Sequence, residues 1–487
     1  MRLRVLDVVD VAEVQMCTGC GACAGVKPGD IGMVDTYEFG RRPVLKRGEA
    51  SRGAAREAMA VCPGIGLEHE EAALPSGFAE VARAGWGPVL EVWEGYATDP
   101  EIRYKGSSGG AASAIALYCI ERGGMHGLLH IAAREDVPYL NRTVLSRTRA
   151  EIVGATGSRY APASPCEGLG MVKEAPGACV MIGKPCDVGA AGKARRLDAE
   201  LDRKLGLTIG IFCAGTPTTK GTVEMMRAMG VSAGERVVGV RYRGLGWPGR
   251  ARVEVEGARN GGEREREGGE EACVTPGPRV GEGRAVREMS YDESWGKILQ
   301  KHRQWRCYVC ADHTGEFADI AVGDPWRHPL PEGDPGRSLV VVRSERGRAV
   351  VRAAMEAGYL TLERSGAGAL EETQPGLISG RGAVWGRVLA LRLMGLPAPR
   401  FVGLPMLRYW WTKLSVYEKA RSIYGTVRRS YTKRLRERHA VVAYETASEA
   451  GVECRAWARK EKTGGEGRGT HDGVQEAVGQ STRDSAA

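Results

Sequence analysis

No stretch of the 487-residue chain approaches the run of about 18 uncharged apolar residues that a membrane-spanning helix requires, which removes an integral-membrane reading. The opening segment MRLRVLDVVDVAEV is broken by acids and lacks an apolar core and a small-residue cleavage site, so a cytoplasmic location is expected. No internal repeat of solenoid length is present. A phosphate-binding Walker motif is missing too: Gly189-Ala-Ala-Gly192-Lys193 lacks the spacing and the terminal Ser/Thr. Gly244-Leu-Gly246-Trp-Pro-Gly249 satisfies G-x-G-x-x-G literally, but Trp247-Pro248 and the β-like ARVEVE follow where a dinucleotide fold needs a helix. A turn between strands is expected there, and neither an NTPase nor an NAD-binding domain is supported. Acids are almost absent from residues 400–440, where eleven Lys/Arg face only Glu418 and Glu437. That local excess matches the formal charge of +9, so the rest of the chain is close to neutral.

The length suggests about three domains, and 43% hydrophobic residues supply buried cores. VWEGYAT, GLLHIAA, TVLS, ACVMIG, LTIGIFCAG and ADIAVGD read as short strands that alternate with helical segments such as AASAIALYCIERGG and EMMRAMG. The pattern is α/β, or mixed α+β. Residues 72–90 read as a linker with a short helix. Residues 256–286 read as a polar surface loop, and the last stretch, 446–487, has too few apolar groups to order itself.

Thirteen cysteines, an odd number in a chain read as cytoplasmic, argue for metal binding over disulfides. Cys17-Thr-Gly-Cys20-Gly-Ala-Cys23 is a C-x2-C-x2-C triplet, a spacing that lets a tight loop aim three thiolates at one iron–sulfur cube. Cys62-Pro63 has the form of the fourth ligand, but residues 24–61 intervene where a bacterial ferredoxin has three. A single-cluster module with an inserted loop is expected; structural zinc is the competing reading. Cys186, Cys213, Cys307 and Cys310 are more scattered, and spacing alone leaves Cys307 and Cys310 equally well a redox dithiol or half a zinc site. Cys119, Cys166, Cys179, Cys273 and Cys454 have no such partners, and Cys119 reads as a small core residue.

Lys105-Gly-Ser-Ser-Gly-Gly110 precedes a helical segment, where Ser107 or Ser108 can cap the helix and Gly109 and Gly110 expose N–H groups toward a phosphate. A capped helix start with no ligand is the plain alternative. Near the C-terminus, Trp410, Tyr417, Tyr424 and Tyr431 recur every seven residues, with Leu407, Leu414 and Ile423 beside them. This predicts one basic helix with an aromatic face. Three roles compete for it: packing on its own domain, docking an acidic redox partner, or lying on an anionic membrane as a peripheral contact. Nucleic-acid binding has no supporting motif.

The ordered motifs CTGCGAC with a later CP, KGSSGGAASAIALYCIERG, ATGSRYAPASP, IGKPCDVGAAGKAR, GIFCAG, VRYRGLGWPG and CYVCADHTGEFADIAVGD resemble the coenzyme F-420 hydrogenase/dehydrogenase beta-subunit family. The likeness runs from about Cys17 to Leu396. It is similar to the longer members, which carry the N-terminal cysteine motif and include the F-420H2 dehydrogenase input subunit and hydroxymethyl-chlorophyll reductase. The resemblance implies that Cys186, Cys213, Cys307 and Cys310 hold one [4Fe–4S] cluster and Cys17, Cys20, Cys23 and Cys62 a second. It also implies non-covalent FAD, near Ser107, Ser108, Gly109 and Gly110 and the segment Ser158, Arg159 and Tyr160, with Arg159 available to phosphate. Gly323 and Asp324 are further candidates beside the second cluster. Lys105, Lys184, Lys193 and Arg243 are candidate contacts for an anionic coenzyme. No catalytic acid or base is implied.

The organisation implied is a ferredoxin-like N-terminal iron–sulfur module (1–72) and a flavin-binding α/β core, formed by a beta-subunit N-terminal domain (91–170) and a C-terminal domain with the second cluster (171–400). A basic aromatic helix (401–445) and the tail follow. The implied function is conversion of hydride chemistry, with coenzyme F-420 as co-substrate, to single electrons for a protein partner, either ferredoxin or a hydrogenase/dehydrogenase-type subunit. Two alternatives stand beside it. One is a ferredoxin-dependent reductase of another organic substrate; the other is a zinc-stapled nucleic-acid-binding protein.

Overall fold

The computed structural model describes residues 3–69, 85–232, 234–257, 284–326, 335–366 and 368–444. Most of the expected linker and polar loop, the whole C-terminal tail, Cys273 and Cys454 lie outside the described residues.

Asp7 opens the chain by capping the helix Val8–Glu13, its carboxylate accepting the N–H groups of Val9 (2.8 Å) and Asp10 (3.0 Å). The cysteine triplet follows and runs into the short helix Ala22–Val26. The interval before Cys62 is not a plain loop. It holds an antiparallel hairpin, β1 (Ile31–Thr36) with β2 (Gly40–Leu45), and then helical turns that deliver Cys62. β3 (Gly66–Glu68) leaves this module.

The core sheet takes β4 (Glu91–Ala97), β5 (Gly127–Ala133), β6 (Asn141–Ser146), β7 (Cys179–Gly183) and β8 (Leu205–Ile211) from the first half of the chain. A separate three-stranded antiparallel sheet is built from β9 (Arg236–Arg241), β10 (Ala251–Glu256) and β11 (Arg284–Met289). The G-x-G-x-x-G segment is indeed the connection from β9 to β10. The chain then returns to the core sheet with β12 (Ile320–Gly323), β13 (Ser338–Val342) and β14 (Leu360–Ser365), and β15 (Arg400–Val402) pairs parallel with β3.

The eight core strands run in the order β14-β4-β13-β12-β8-β7-β5-β6. β5, β7, β8 and β12 are mutually parallel, and β13 is antiparallel to both β12 and β4. Segments 91–170 and 171–400 therefore share one core. The central strands are Val-rich and buried on both faces, as parallel strands covered by helices must be. The helix Ala111–Glu121 lies against them through Ala114, Ile115 and Leu117, and Cys119 is a core residue there. Each fully buried aliphatic side chain of this kind contributes about 1.5–3 kcal/mol.

The expected single aromatic helix is two helices. Met406–Lys413 ends at an extended Leu414, and Ser415 with Glu418 forms a capping box that starts Val416–Thr432 afresh. Nor does the aromatic stripe pack on its own domain: Tyr417, Tyr424 and Tyr431 are 72%, 72% and 61% exposed. The buried face is Ser422, Thr426 and Ser430, set against the helix Leu377–Leu393. A Cβ at Gly386 would sit 2.0 Å from Ser422 Oγ, so these two helices touch more closely than any larger side chain allows. Trp410 is the exception to the exposed stripe, tilted against Trp385 at 4.7 Å.

Beyond that helix the chain fastens to the N-terminal module. His439 N–H donates to Glu13 O (2.9 Å), Tyr444 N–H to Asp35 O (2.7 Å), and Arg438 bridges Asp10 (2.5 Å) and Glu13 (2.7 Å). Residues up to Tyr444 thus form one packed unit. Among the described residues no helix is long and apolar enough to cross a membrane.

Candidate functional site

The C-terminal ends of β4, β7, β8 and β12 meet along one edge of the sheet, where open α/β folds place their ligands. β7 hands over to Lys184 and Cys186, β8 to Phe212 and Cys213, and β12 to Asp324, while β4 leads through the helix Pro100–Lys105 to the Gly/Ser turn.

Cys17, Cys20, Cys23 and Cys62 line a single small cavity of about 20 Å³. Gly19 N–H donates to Cys17 Sγ (3.3 Å). Burial pushes the thiols of Cys17, Cys23 and Cys62 up, Cys62 to about 12, and the neighbouring sulfurs add to this. Only a bound metal would hold such thiols as thiolates near neutral pH. The second group centres on Cys213, which neighbours Cys186, Cys307 and Cys310, with Thr216 N–H on Cys307 Sγ (3.3 Å) and Gly215 N–H on Cys213 Sγ (3.4 Å). Burial raises Cys213 to about 12 and Cys310 to about 11. His313, buried and pushed down to about 4, is neutral and donates from Nδ1 to Cys213 O (3.0 Å).

Among the described residues no three His, Cys, Asp or Glu side chains stand close enough to grip one metal ion. A tetrahedral zinc would draw four sulfurs to about 2.3 Å from one centre, closer together than the corners of an iron–sulfur cube. The chemistry of eight cysteine donors in two groups, with N–H groups on the sulfurs and a cavity inside the first, fits an iron–sulfur cube better.

The quartets share a wall. Arg306, 2% exposed, donates to Pro63 O (2.9 Å), Gly64 O (3.0 Å) and Val309 O (3.0 Å), tying the Cys62 loop to the segment that carries Cys307 and Cys310. Its charge acts on Cys17 and Cys310. Arg42, also buried, lies near Cys17 and Cys307, and its Nε has no hydrogen-bond partner among the described residues. Cys166 was missed by spacing because it sits far along the chain. Its N–H donates to Cys20 O (3.0 Å), its thiol to Asp187 O (3.2 Å), and its hydrogen bond with the Cys20 sulfur is the main influence lowering the Cys20 thiol.

The three flavin-candidate segments converge beside this edge. Ser158 N–H donates to Ser107 Oγ (2.5 Å), Tyr160 accepts from Arg243 (3.4 Å), and Arg243 makes a two-pronged ion pair with Asp324, each N···O distance 2.8 Å. Neither Ser107 nor Ser108 caps the following helix. Its N-cap is Gly110, and Ala111 N–H donates to Ser338 Oγ (3.3 Å), whose hydroxyl in turn donates to Ser108 O. Gly109 is required: its φ is +66°, and a Cβ there would lie 2.9 Å from the Arg337 backbone. Arg159 is spent on the protein, donating to Asn141 Oδ1, Val240 O (3.1 Å), Pro138 O (2.6 Å) and Leu140 O (3.4 Å). Gly323 packs on the Phe212 ring.

Of the cationic candidates, Lys105 pairs with Glu101 (2.6 Å), Lys184 with Asp187 (2.7 Å), and Lys193 donates to Cys62 O (3.3 Å) and Gly66 O (2.9 Å). Arg243 is 1% exposed; burial opposes its charge, but Asp324 outweighs that and holds it well above its ordinary pKa. Aromatic rings surround this ion pair. Trp247 Nε1–H donates to Asp324 Oδ1 (2.9 Å), and Arg243 lies 5.1 Å from the Tyr291 ring and 5.6 Å from that of Trp326. Tyr291 and Trp326 stack at 5.8 Å, and a π-helical turn, Asp292–Ile298, brings Trp295 to Tyr160 at 4.7 Å. Sequence reasoning missed Trp247, Tyr291, Trp295 and Trp326; the aromatic residues spaced through GWPG, SYDESW and GDPW were the available signal.

The coenzyme F420 hydrogenase/dehydrogenase beta-subunit profiles match residues 92–169 with the N-terminal part and 178–366 with the C-terminal part. Both matches begin beyond the N-terminal cysteine loop. The coenzyme F420 hydrogenase subunit beta of Methanococcus voltae is 25% identical over 297 residues, 58% of this chain and 85% of that protein. An F420-dependent formate dehydrogenase 1 subunit beta of Methanococcus maripaludis is 29% identical over 140 residues, 28% of this chain and 35% of that one. A chain of the F420-reducing [NiFe] hydrogenase complex from Methanosarcina barkeri aligns with 22% identity and a TM-score of 0.44, covering 61% of this chain and 88% of its own. With its two halves matched in order across one shared sheet, the chain belongs to the coenzyme F420 hydrogenase/dehydrogenase beta-subunit family.

Proposed function

We propose that this protein is an iron–sulfur flavoprotein oxidoreductase that exchanges a hydride with coenzyme F420 and single electrons with a protein partner. The observation that carries the reading is the adjacency of two cysteine quartets and an aromatic-walled Arg243–Asp324 pair along one sheet edge. Cys17, Cys20, Cys23 and Cys62 would hold one [4Fe–4S] cluster, and Cys186, Cys213, Cys307 and Cys310 the other. FAD would lie by Ser107, Ser158, Tyr160 and Asp324. When bound, flavin trades electrons in pairs or singly and a cluster trades them singly, which is what a hydride-to-electron converter needs.

The chain's own residues provide the setting. Trp247, Tyr291 and Trp326 wall off water around the ion pair, whose fixed charge lies where a ring with polar edges can be oriented. The N–H groups of Gly19, Gly215 and Thr216 donate to ligand sulfurs, and Arg42 and Arg306 place positive charge between the quartets. Each of these offsets the negative charge of a thiolate-bound cluster.

Anaerobic purification tests the reading: about eight iron atoms and one flavin per chain are expected. Reduced F420 should then bleach the flavin band. A colourless protein holding zinc overturns the proposal, and bleaching by reduced ferredoxin but not by F420 replaces the co-substrate with another organic molecule.

A further inference from the structure

We propose that the outward face of the Val416–Thr432 helix, with the ring of cations around Tyr308, is the docking surface for an acidic one-electron carrier protein. The proposal rests on reading the Cys307 quartet as a cluster and names the side from which it is reached.

Tyr417, Arg421, Tyr424, Arg428 and Tyr431 follow one another at intervals of four and three residues, which places them in a single stripe along the helix. All five are exposed, and none is on the face that packs the helix down, which is Ser422, Thr426 and Ser430. Three large rings in a row, held out in water, therefore contribute little to the fold. Tyr and Arg are the residue types that dominate the binding energy of protein interfaces. A strongly basic strip of this kind attracts an acidic protein and orients its approach.

The strip leads to a cysteine quartet. Arg429, Lys433 and Arg303 lie 5.2, 5.4 and 4.8 Å from the ring of Tyr308, which follows Cys307 directly. Lys433 is an electrostatic neighbour of Cys307. Cys307 and Cys310 are half-buried, whereas three of the four N-terminal sulfurs are buried, so the second quartet is the one nearer this surface. A membrane is the weaker occupant. A helix that lies in lipid turns a broad Leu/Phe/Trp face to it, and the outward stripe here alternates Tyr with Arg.

The test uses the full-length chain and its Arg421→Glu/Arg428→Glu and Tyr424→Ala variants, with binding of a small acidic ferredoxin measured by biolayer interferometry at about 50 and about 300 mM salt. The wild type should bind in low salt and lose affinity in high salt. The double charge reversal should weaken low-salt binding at least roughly tenfold and flatten the salt dependence. The tyrosine variant should lose affinity with the salt dependence kept, and iron content and flavin spectrum should be unchanged in both. Charge-reversed protein that binds as tightly as wild type overturns the proposal. So does wild type that ignores ferredoxin but binds phosphatidylglycerol vesicles or single-stranded DNA through this strip. Ferredoxin captured by an iron-free chain would leave the docking surface standing and overturn the cluster reading beneath it. An iron-replete chain that captures none overturns the surface alone.

Discussion

Replacing Asp324 with Asn should be among the most damaging single changes to the candidate flavin region, and the structure says by how much. Arg243 is 1% exposed and donates twice to Asp324, at 2.8 Å each, so the carboxylate is its close anionic partner among the described residues. Its Nε–H goes to the neutral Pro248 O at 2.8 Å, and Nη1 also reaches the Tyr160 hydroxyl at 3.4 Å. An asparagine keeps the shape but removes the charge and turns one acceptor into an N–H group that faces the guanidinium. Leaving a buried cation uncompensated costs about 3–5 kcal/mol. At about 2 °C per kcal/mol for a large domain, thermal unfolding should come roughly 6–10 °C earlier. The double variant Arg243→Met/Asp324→Leu removes both charges at once and loses mainly the Trp247 and Pro248 hydrogen bonds, about 1–2 kcal/mol in total. It should therefore be more stable than Asp324→Asn alone. Differential scanning fluorimetry on the three proteins, with flavin content measured alongside, decides the matter. Equal melting for wild type and Asp324→Asn, or a double variant that melts below Asp324→Asn, would refute the ion-pair argument.

Four other outcomes follow from the same geometry. Cys20→Ser and Cys186→Ser should each lower iron from about eight to about four atoms per chain, read by iron assay and absorbance. Arg306→Met leaves three buried carbonyls without donors, each worth about 1–3 kcal/mol, and should lower iron at both quartets instead of one. Gly386→Val puts side-chain atoms where Ser422 Oγ already lies, so the Val416–Thr432 helix should detach and become sensitive to brief protease digestion. Glu316, ion-paired with Arg381 and 2.8 Å from His69 Nε2, is buried, but those partners pull its pKa down to about 2 from 4.5. Its unfolded form binds the proton first, so its stabilisation is complete above about pH 4.5 and fades as pH falls toward 2; Glu316→Gln should remove that part of the acid sensitivity in a tryptophan-fluorescence titration.

The strands were legible because their runs of Val, Ile and Leu are short, β-branched and bounded by Gly and charged turns, as in SLVVV and ADIAVGD. The first cysteine quartet was legible from spacing because three of its sulfurs lie within one turn of chain. The second was not, because Cys186, Cys213 and the Cys307–Cys310 pair are brought together by strand order, which a linear reading cannot supply. Resemblance grouped them. Ser107 and Ser108 do not cap the helix, and Arg159 is held by the protein, for a related reason: each has a near partner contributed by a distant segment, Ser158, Ser338 and Asn141 respectively. The seven-residue aromatic period was real, but it marked the outer face. Gly386 and three hydroxylated residues on the facing helices allow closer packing than aromatics would, and that decides which side turns inward.

The N-terminal module depends on elements it does not own. Its private core is small, built chiefly from Val8, Ile31, Ala55 and Ala58 around Cys23, while Val11 and Cys17 belong to a cluster shared with Trp305, Val309, Leu391 and Leu435. Arg306 from one side and residues 438–444 from the other then hold the module against the core sheet's cysteine loops. A module tethered by one flexible link would let the distance between the quartets vary, and electron exchange between them would vary with it. Here Arg306 both fastens the module and stands in the wall between the quartets, so packing holds the two cysteine groups side by side. The C-terminal strap carries the exposed Tyr/Arg stripe on one stretch and with the next fastens the helix that leads into the first cysteine loop.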